Sequence, residues 1–249
     1  MSRFLAALQF LTVIPIPWNN RVQEAHVERA AGYFPIVGLI IGIIMAVLSW
    51  LLRFILPLEI ANAILLVILV ILSGGLHLDG FADTCDGLAS HKTVDERWRI
   101  MHDGRVGSYG VIGIMLLLIV KYVSINSIPE TIILITWVIM PVVSRWAMVY
   151  AIYFFPYARS SGLGKIIKQG TGFSEFIMAT LITIAVGVIL DWLVGLVVII
   201  TIWVITLALA ASLRNKFAGL TGDNYGAINE VTEVGVLIMI HVIVGLGLI

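Results

Sequence analysis

The sequence predicts an all-α integral membrane protein, and three observations carry that expectation. Hydrophobic residues make up 60% of the 249 and charged ones 12%, against about 45–50% and about 25% in an average soluble domain. The mean hydropathy is +1.07, more apolar surface than a soluble globule of this length can hide. Seven stretches, roughly 33–56, 58–77, 106–124, 130–154, 174–190, 192–212 and 231–249, approach the about 20 apolar residues that a hydrocarbon core of about 30 Å requires. A secreted globule, a disordered chain and a nucleic-acid binder are thereby excluded. Fifteen Lys and Arg balance fifteen Asp and Glu, so net charge assigns no partner. The single cysteine, Cys85, excludes an internal disulfide and a cysteine-built metal cage.

The elements follow in order within one polytopic domain, 1–249. The opening run, Phe4 to Ile16, is too short to span and ends at Pro15 and Pro17. It has no small-residue cleavage site, so it does not read as a signal peptide. Phe4, Leu5, Leu8 and Leu11 share a helical face, which predicts a helix lying in the interface within a cytoplasmic segment 1–30. Only a turn around Pro57 separates the first two spans, and only Asp191 the fifth and sixth, so both pairs are expected as tight hairpins.

Orientation follows from the basic residues. With the N-terminus inside, the inner segments hold twelve: Arg3, Arg21, Arg29, Lys92, Arg97, Arg99, Arg105, Arg159, Lys165, Lys168, Arg214 and Lys216. Arg53 and Lys121 fall near the outer ends, and Arg145 within the fourth span. Long inner connections and very short outer ones put the polar chemistry at the cytoplasmic face. A transporter would instead gather its polar groups near the midplane in broken helices.

The strongest motif is the acidic run in the 74–110 segment. Asp79, Asp83 and Asp86 are spaced i, i+4 and i+7, an arc of about 60° on a helix. Three carboxylates on one face repel unless a cation lies between them, and their oxygens favour Mg²⁺ or Mn²⁺ over zinc. Asp103 offers a fourth oxygen. The bland alternative is a solvated helix end, and His77 and His102 are expected to be hydrogen-bonded rather than ligating. Clustered carboxylates holding a divalent cation at a membrane suit phosphoryl transfer.

Asp83-x-x-Asp86-Gly87 is similar to the opening of the CDP-alcohol phosphotransferase signature, but Ser90-His91 replaces its Ala-Arg and the trailing aspartates are absent. A fuller match runs from about Phe10 to Glu233. It comprises Tyr33-Phe34-Pro35-Ile36-Val37-Gly38, Gly74-Gly75-Leu76-His77-Leu78-Asp79-Gly80-Phe81-Ala82-Asp83 and His102-Asp103-Gly104-Arg105-Val106-Gly107-Ser108-Tyr109-Gly110. Ser144-Arg145-Trp146, Pro156-Tyr157-Ala158-Arg159 and Thr221-Gly222-Asp223-Asn224-Tyr225-Gly226-Ala227 complete it. In these motifs the chain resembles the cobalamin synthase family, the adenosylcobinamide-GDP ribazoletransferases; the family's usual Asp-Ser stands here as Asp103-Gly104. The resemblance implies an Mg²⁺-dependent enzyme of the cytoplasmic (inner) membrane. Such an enzyme joins adenosylcobinamide-GDP to α-ribazole or its 5′-phosphate, releasing GMP. It leaves room for a homo-oligomer or a complex with other enzymes of cobalamin biosynthesis.

That chemistry distributes the roles. Asp79, Asp83 and Asp86 are assigned to Mg²⁺, with Asp83 also counted as catalytic; Asp103 is either a further ligand or the base that takes the hydroxyl proton. Arg145, costly within an apolar span, is assigned to phosphate, its alternative being an ion pair with an acid on another helix. Arg159 and Lys165 flank a flexible Ser-Gly loop and suit a diphosphate. Lys168, Arg214 and Lys216 suit either that or lipid headgroups. The resemblance gives Thr221 and Asp223 a substrate or metal role, where an ordinary turn before the last helix is the alternative. His77 and Arg105 join the substrate-binding set. Rival readings are a CDP-alcohol phosphotransferase, a cation-coupled transporter and an accessory scaffold.

Overall fold

The computed structural model describes residues 3–15, 27–90 and 93–248; Ile16, Pro17, Arg21 and Lys92 of the sequence reading lie outside the described residues. The helices are α1 (Arg3–Leu11), α2 (Phe34–Leu52), α3 (Leu58–Leu72), α4 (Leu76–Ala89) and α5 (Val94–Met101). They continue with α6 (Ser108–Asn126), α7 (Glu130–Phe154), α8 (Leu163–Gly170), α9 (Phe173–Phe217) and α10 (Gly222–Gly245). Among the described residues the extended structure is one isolated bridge, Tyr157 to Leu220. Five helices are long and apolar enough to cross a membrane, and six if α3 and α4 form one broken span.

α7 is the central column, buried from Thr136 to Ile152, with α2, α9 and α10 packed round it. α2 lies directly on its backbone: a Cβ on Gly38 would come within 2.3 Å of the Pro141 carbonyl oxygen, and one on Gly42 within 2.7 Å of the Val138 Cα. Glycines one turn apart thus provide the close approach that helices need where no hydrophobic effect drives them together. The outer faces are apolar, as with Met115 and Leu116 of α6 and Ile189 and Trp192 of α9. A lipid-facing surface accounts for them.

Three sequence expectations change, and α1, expected as an interfacial helix, also packs on the bundle. It buries Ala6, Ala7, Leu8 and Leu11, with Phe4 edge-on to Tyr33 and Phe10 stacked on Phe34.

The second span does not reach residue 77. α3 stops at Leu72 and the axis turns by 87° into α4. Gly74 and Gly75 hold φ of 64° and 67° there, a region strained for residues with a side chain. Their N–H groups close the end of α3 on Ile71 and Val70. The fifteen residues of α3 rise about 22 Å, and the turn carries α4 across the end of the bundle rather than along the axis of α3.

The last helix starts at Gly222 rather than at 231, which moves Glu230 from the expected inner loop into its buried interior beside Glu233. Lys121, expected near an outer end, is 3% exposed inside the bundle. The hairpin expected at Asp191 is present. Its backbone is extended (φ −167°), and its carboxylate accepts the N–H groups of Leu193 and Val194, each at 3.0 Å, capping the second arm of α9. The arms double back so closely that a Cβ on Gly195 would lie 2.5 Å from the Gly187 carbonyl oxygen.

Candidate active site

Three segments meet at one end of the bundle. The strap after α7 bridges to the start of α10: Ala158 N–H donates to the Leu220 carbonyl and Leu220 N–H to the Pro156 carbonyl, both at 2.8 Å. α4 packs on the first turns of α10 with almost nothing between the backbones. A Cβ on Gly80 would lie 2.8 Å from the Asp223 Cα, and one on Gly226 3.0 Å from the His77 carbonyl oxygen. Across this glycine contact Asn224 donates its side-chain amide to the Thr84 hydroxyl at 3.1 Å. The acidic face of α4 is thereby set beside the α10 N-terminus.

A cleft of about 320 Å³ opens here, and Asp79, Asp223, Arg159 and His77 all line it. Arg159 pairs with Asp223 at 3.0 Å, both side chains partly exposed. Asp83 is half-buried just behind. Burial first, then the charges of Asp223, Asp79 and Asp86, push its carboxyl up to about 7, with Arg159 pulling the other way. A carboxyl surrounded by three others and one cation lacks positive charge, and hard oxygens of this kind fit a divalent cation of the Mg²⁺ class. Among the described residues, no three His, Cys, Asp or Glu side chains stand close enough together to hold a metal ion; Asp79, Asp83 and Asp223 are linked only by the charges they exert on one another.

The structure separates the other sequence-assigned residues. Asp86 is 8% exposed and accepts the backbone N–H groups of Gly107 (2.7 Å) and Gly110 (2.9 Å). One carboxylate oxygen goes to each, so Asp86 fixes the start of α6. Thr221 is fully buried; its hydroxyl accepts the Asn224 N–H at 3.2 Å while the Asn224 side chain accepts the Thr221 N–H at 3.0 Å. It caps α10 and so presents Asp223 on the first turn. Asp103 and Arg105 are exposed on the loop before α6 and do not line the cleft, although His102 does. Lys165 donates to the Ser160 carbonyl of its own loop. Lys168 donates to the Ile152 and Tyr153 carbonyls at the end of α7.

Arg145, 1% exposed, is committed to Glu233 and to the Ser144 hydroxyl at 3.0 Å. The ion pair weighed as its alternative is the arrangement found. Lys121 completes it, 2.6 Å from both Glu230 and Glu233, with Asn229 donating to Glu233 at 3.2 Å. This neutral tetrad, two cations and two anions from α6, α7 and α10, escaped sequence reasoning. The signal is two charges of each sign between the ends of the spans, hidden when Lys121 is read as an outer end and Glu230 as part of an inner loop. The aromatic lining of the cleft was missed as well, because Phe10, Phe34, Tyr157 and Tyr225 come from four segments.

The chain matches the family model described as CobS, cobalamin-5-phosphate synthase, over residues 3–241. Among curated proteins, an adenosylcobinamide-GDP ribazoletransferase of Geotalea daltonii is 35% identical over 235 residues, 93% of each chain. One of Desulforamulus reducens is 35% identical over 241 residues, 96% of each. One of Alkaliphilus metalliredigens is 34% identical over 248 residues, covering 100% of this chain and 98% of its own. No solved structure matches.

Proposed function

Since the chain belongs to the cobalamin-5-phosphate synthase family, we propose that the cleft at the α4–α10 contact joins adenosylcobinamide-GDP to α-ribazole or its 5′-phosphate and releases GMP. The observation that carries this reading is the glycine-mediated contact that sets Asp79 and Asp83 beside Asp223 and Arg159. A carboxylate group beside a guanidinium is the equipment for holding a diphosphate. CDP-alcohol phosphotransfer and cation transport have no comparable support, and the acids at mid-depth are neutralised in the tetrad.

Asp79, Asp83 and Asp223 would hold Mg²⁺, which when bound neutralises phosphate charge and polarises the phosphorus under attack. Arg159 grips a phosphate oxygen, exchanging part of its contact with Asp223. The Asp86 cap and the Thr221 cap fix the two helix starts, so that these groups face one another without rearrangement. The acceptor hydroxyl attacks the phosphorus attached to the corrinoid arm: the new O–P bond forms as the P–O bond to GMP breaks in line, and the hydroxyl proton is released to solvent. Asp103 is given no contact with the reacting atoms. Seven crossings, with α3 counted as one and α9 as two, would place the cleft at the cytoplasmic face of the inner membrane.

The direct test incubates purified protein in lipid nanodiscs with Mg²⁺, adenosylcobinamide-GDP and α-ribazole. Release of GMP together with the joined corrinoid is expected. Neither product would appear if the reading were wrong.

A further inference from the structure

Two buried polar side chains that line the cleft have no hydrogen-bond partner among the described residues: both ring nitrogens of His77 and the hydroxyl of Tyr225. They are 1% and 4% exposed, so bulk water does not satisfy them either. The tetrad charges of Arg145, Glu233 and Lys121 reach the His77 ring through space, but none bonds to it. Buried donors and acceptors are almost always paired, and an orphan in a cavity wall calls for a ligand that completes it.

The cleft defines the shape of that ligand. Its about 320 Å³ stands at the low end of small-molecule sites, about 300–1,000 Å³. One nucleoside fills such a space, and a corrin macrocycle exceeds it. The walls are aromatic, with Phe10 and Phe34 stacked at 6.0 Å and Tyr157 and Tyr225 tilted at 6.3 Å. Met148 and Ile152 add apolar lining. Flat apolar rings are accommodated by such walls, while Asp79, Asp223 and Arg159 supply the charged part of the same cleft.

We infer that this cleft is the acceptor subsite. It takes the flat benzimidazole base of the ribazole between the aromatic walls, with the His77 N–H donating to the base's unsubstituted ring nitrogen and the ribose directed toward Asp79 and Asp223. The inference rests on the function proposed above and adds to it a residue that selects the base. The donor's macrocycle remains outside, and only its diphosphate arm enters.

The test pairs two ligands with two proteins. Dissociation constants are measured in nanodiscs for α-ribazole and for the matching indole riboside, in which CH replaces the ring nitrogen. The wild type is expected to prefer α-ribazole by about tenfold, the scale of one buried hydrogen bond. His77→Phe loses that preference, His77→Gln retains most of it through its own N–H donor, and affinity for adenosylcobinamide-GDP is unchanged in all three. Persistence of the preference in His77→Phe, or an equal loss of affinity for both substrates, overturns the inference. Ile152→Trp, which narrows the cavity, is expected to weaken α-ribazole and spare the corrinoid donor, and the reverse result overturns it too. If the wild type shows the base preference yet releases no GMP, the proposed reaction fails while the subsite stands.

Discussion

Asp79, Asp83, Asp86 and Asp103 are four aspartates in one motif region, and their surroundings give them different work. Asp79→Asn and Asp83→Asn remove charge from the acidic face of α4, so GMP release is expected to fall by about two orders of magnitude or more, as when electrostatic stabilisation of a transferring group is lost. Asp103→Asn alters an exposed loop residue and is expected to stay within a few-fold of wild type. An Asp103→Asn loss as deep as that of Asp79→Asn would return the loop to the reacting centre. The raised Asp83 carboxyl adds a pH prediction. Its folded value, about 7, lies above its ordinary 3.8, so the folded state binds the proton more tightly than the unfolded chain. The stabilisation it contributes is full below about pH 4 and is lost as pH rises through about 7. Thermal unfolding of metal-free protein should therefore move to lower temperature from pH 5 to 8. Added Mg²⁺ should reverse this at pH 8 and do little at pH 5. The tetrad obeys another rule: breaking a buried ion pair by removing one partner costs about 3–5 kcal/mol. Lys121→Met is expected to reduce the folded yield severely. Lys121→Met with Glu230→Gln, which removes one charge of each sign, should recover much of it.

The glycines of the elements say how much of the site was legible. Asp79 and Asp83 could be placed on one helical face from spacing alone, because helix periodicity is local. Asp86 shares that spacing, and its carboxylate is taken up in capping the start of α6. Its partners are backbone N–H groups of Gly107 and Gly110, and nothing in a residue's own neighbourhood announces a cap supplied twenty residues away. The run from α3 into α4 is apolar through Leu76, so hydropathy carries the span past a corner that only the paired left-handed glycines at 74 and 75 mark. The resemblance supplied Asp223; the close approach of Gly80 and Gly226 explains why it stands beside the α4 acids. That contact is testable. Gly80→Val has to push its side chain into the Asp223 backbone, wedging α4 from α10. Activity is expected to fall at least a hundredfold, because displacement of catalytic groups by about 1 Å costs that much, while the tetrad keeps the bundle folded. Gly75→Ala meets no neighbour and should affect stability alone, through its positive φ, by about 1 kcal/mol. Equal activity in Gly80→Val and wild type would show that the α4–α10 contact does not set the site.

Across the whole molecule, the burial pattern and the charge pattern define one axis. α6 and α10 both run inward from the end that carries the cleft, and α7 runs back toward it. The tetrad residues Lys121, Arg145, Glu230 and Glu233 consequently sit about 12–20 Å along their helices from that end, at 1.5 Å per residue. Ions at that depth survive only paired. The cleft stands at the end where the loops are long, the end that the positive-inside rule would put in the cytoplasm under the proposed topology. The bias survives the reassignment of Lys121 to the interior, since only Arg53 then remains near an outer end. Cysteine labelling checks the assignment. In a Cys85→Ala background, Ser161→Cys in the loop beside the cleft should react with a membrane-impermeant maleimide only in inverted vesicles. Ser127→Cys, in the turn between α6 and α7, should react only from the outside of intact cells. The opposite pattern would put the cleft outside and remove its access to cytosolic nucleotide substrates. Labelling of both sites from one side would mean that α6 does not cross, and the depth assigned to Lys121 would fall with it.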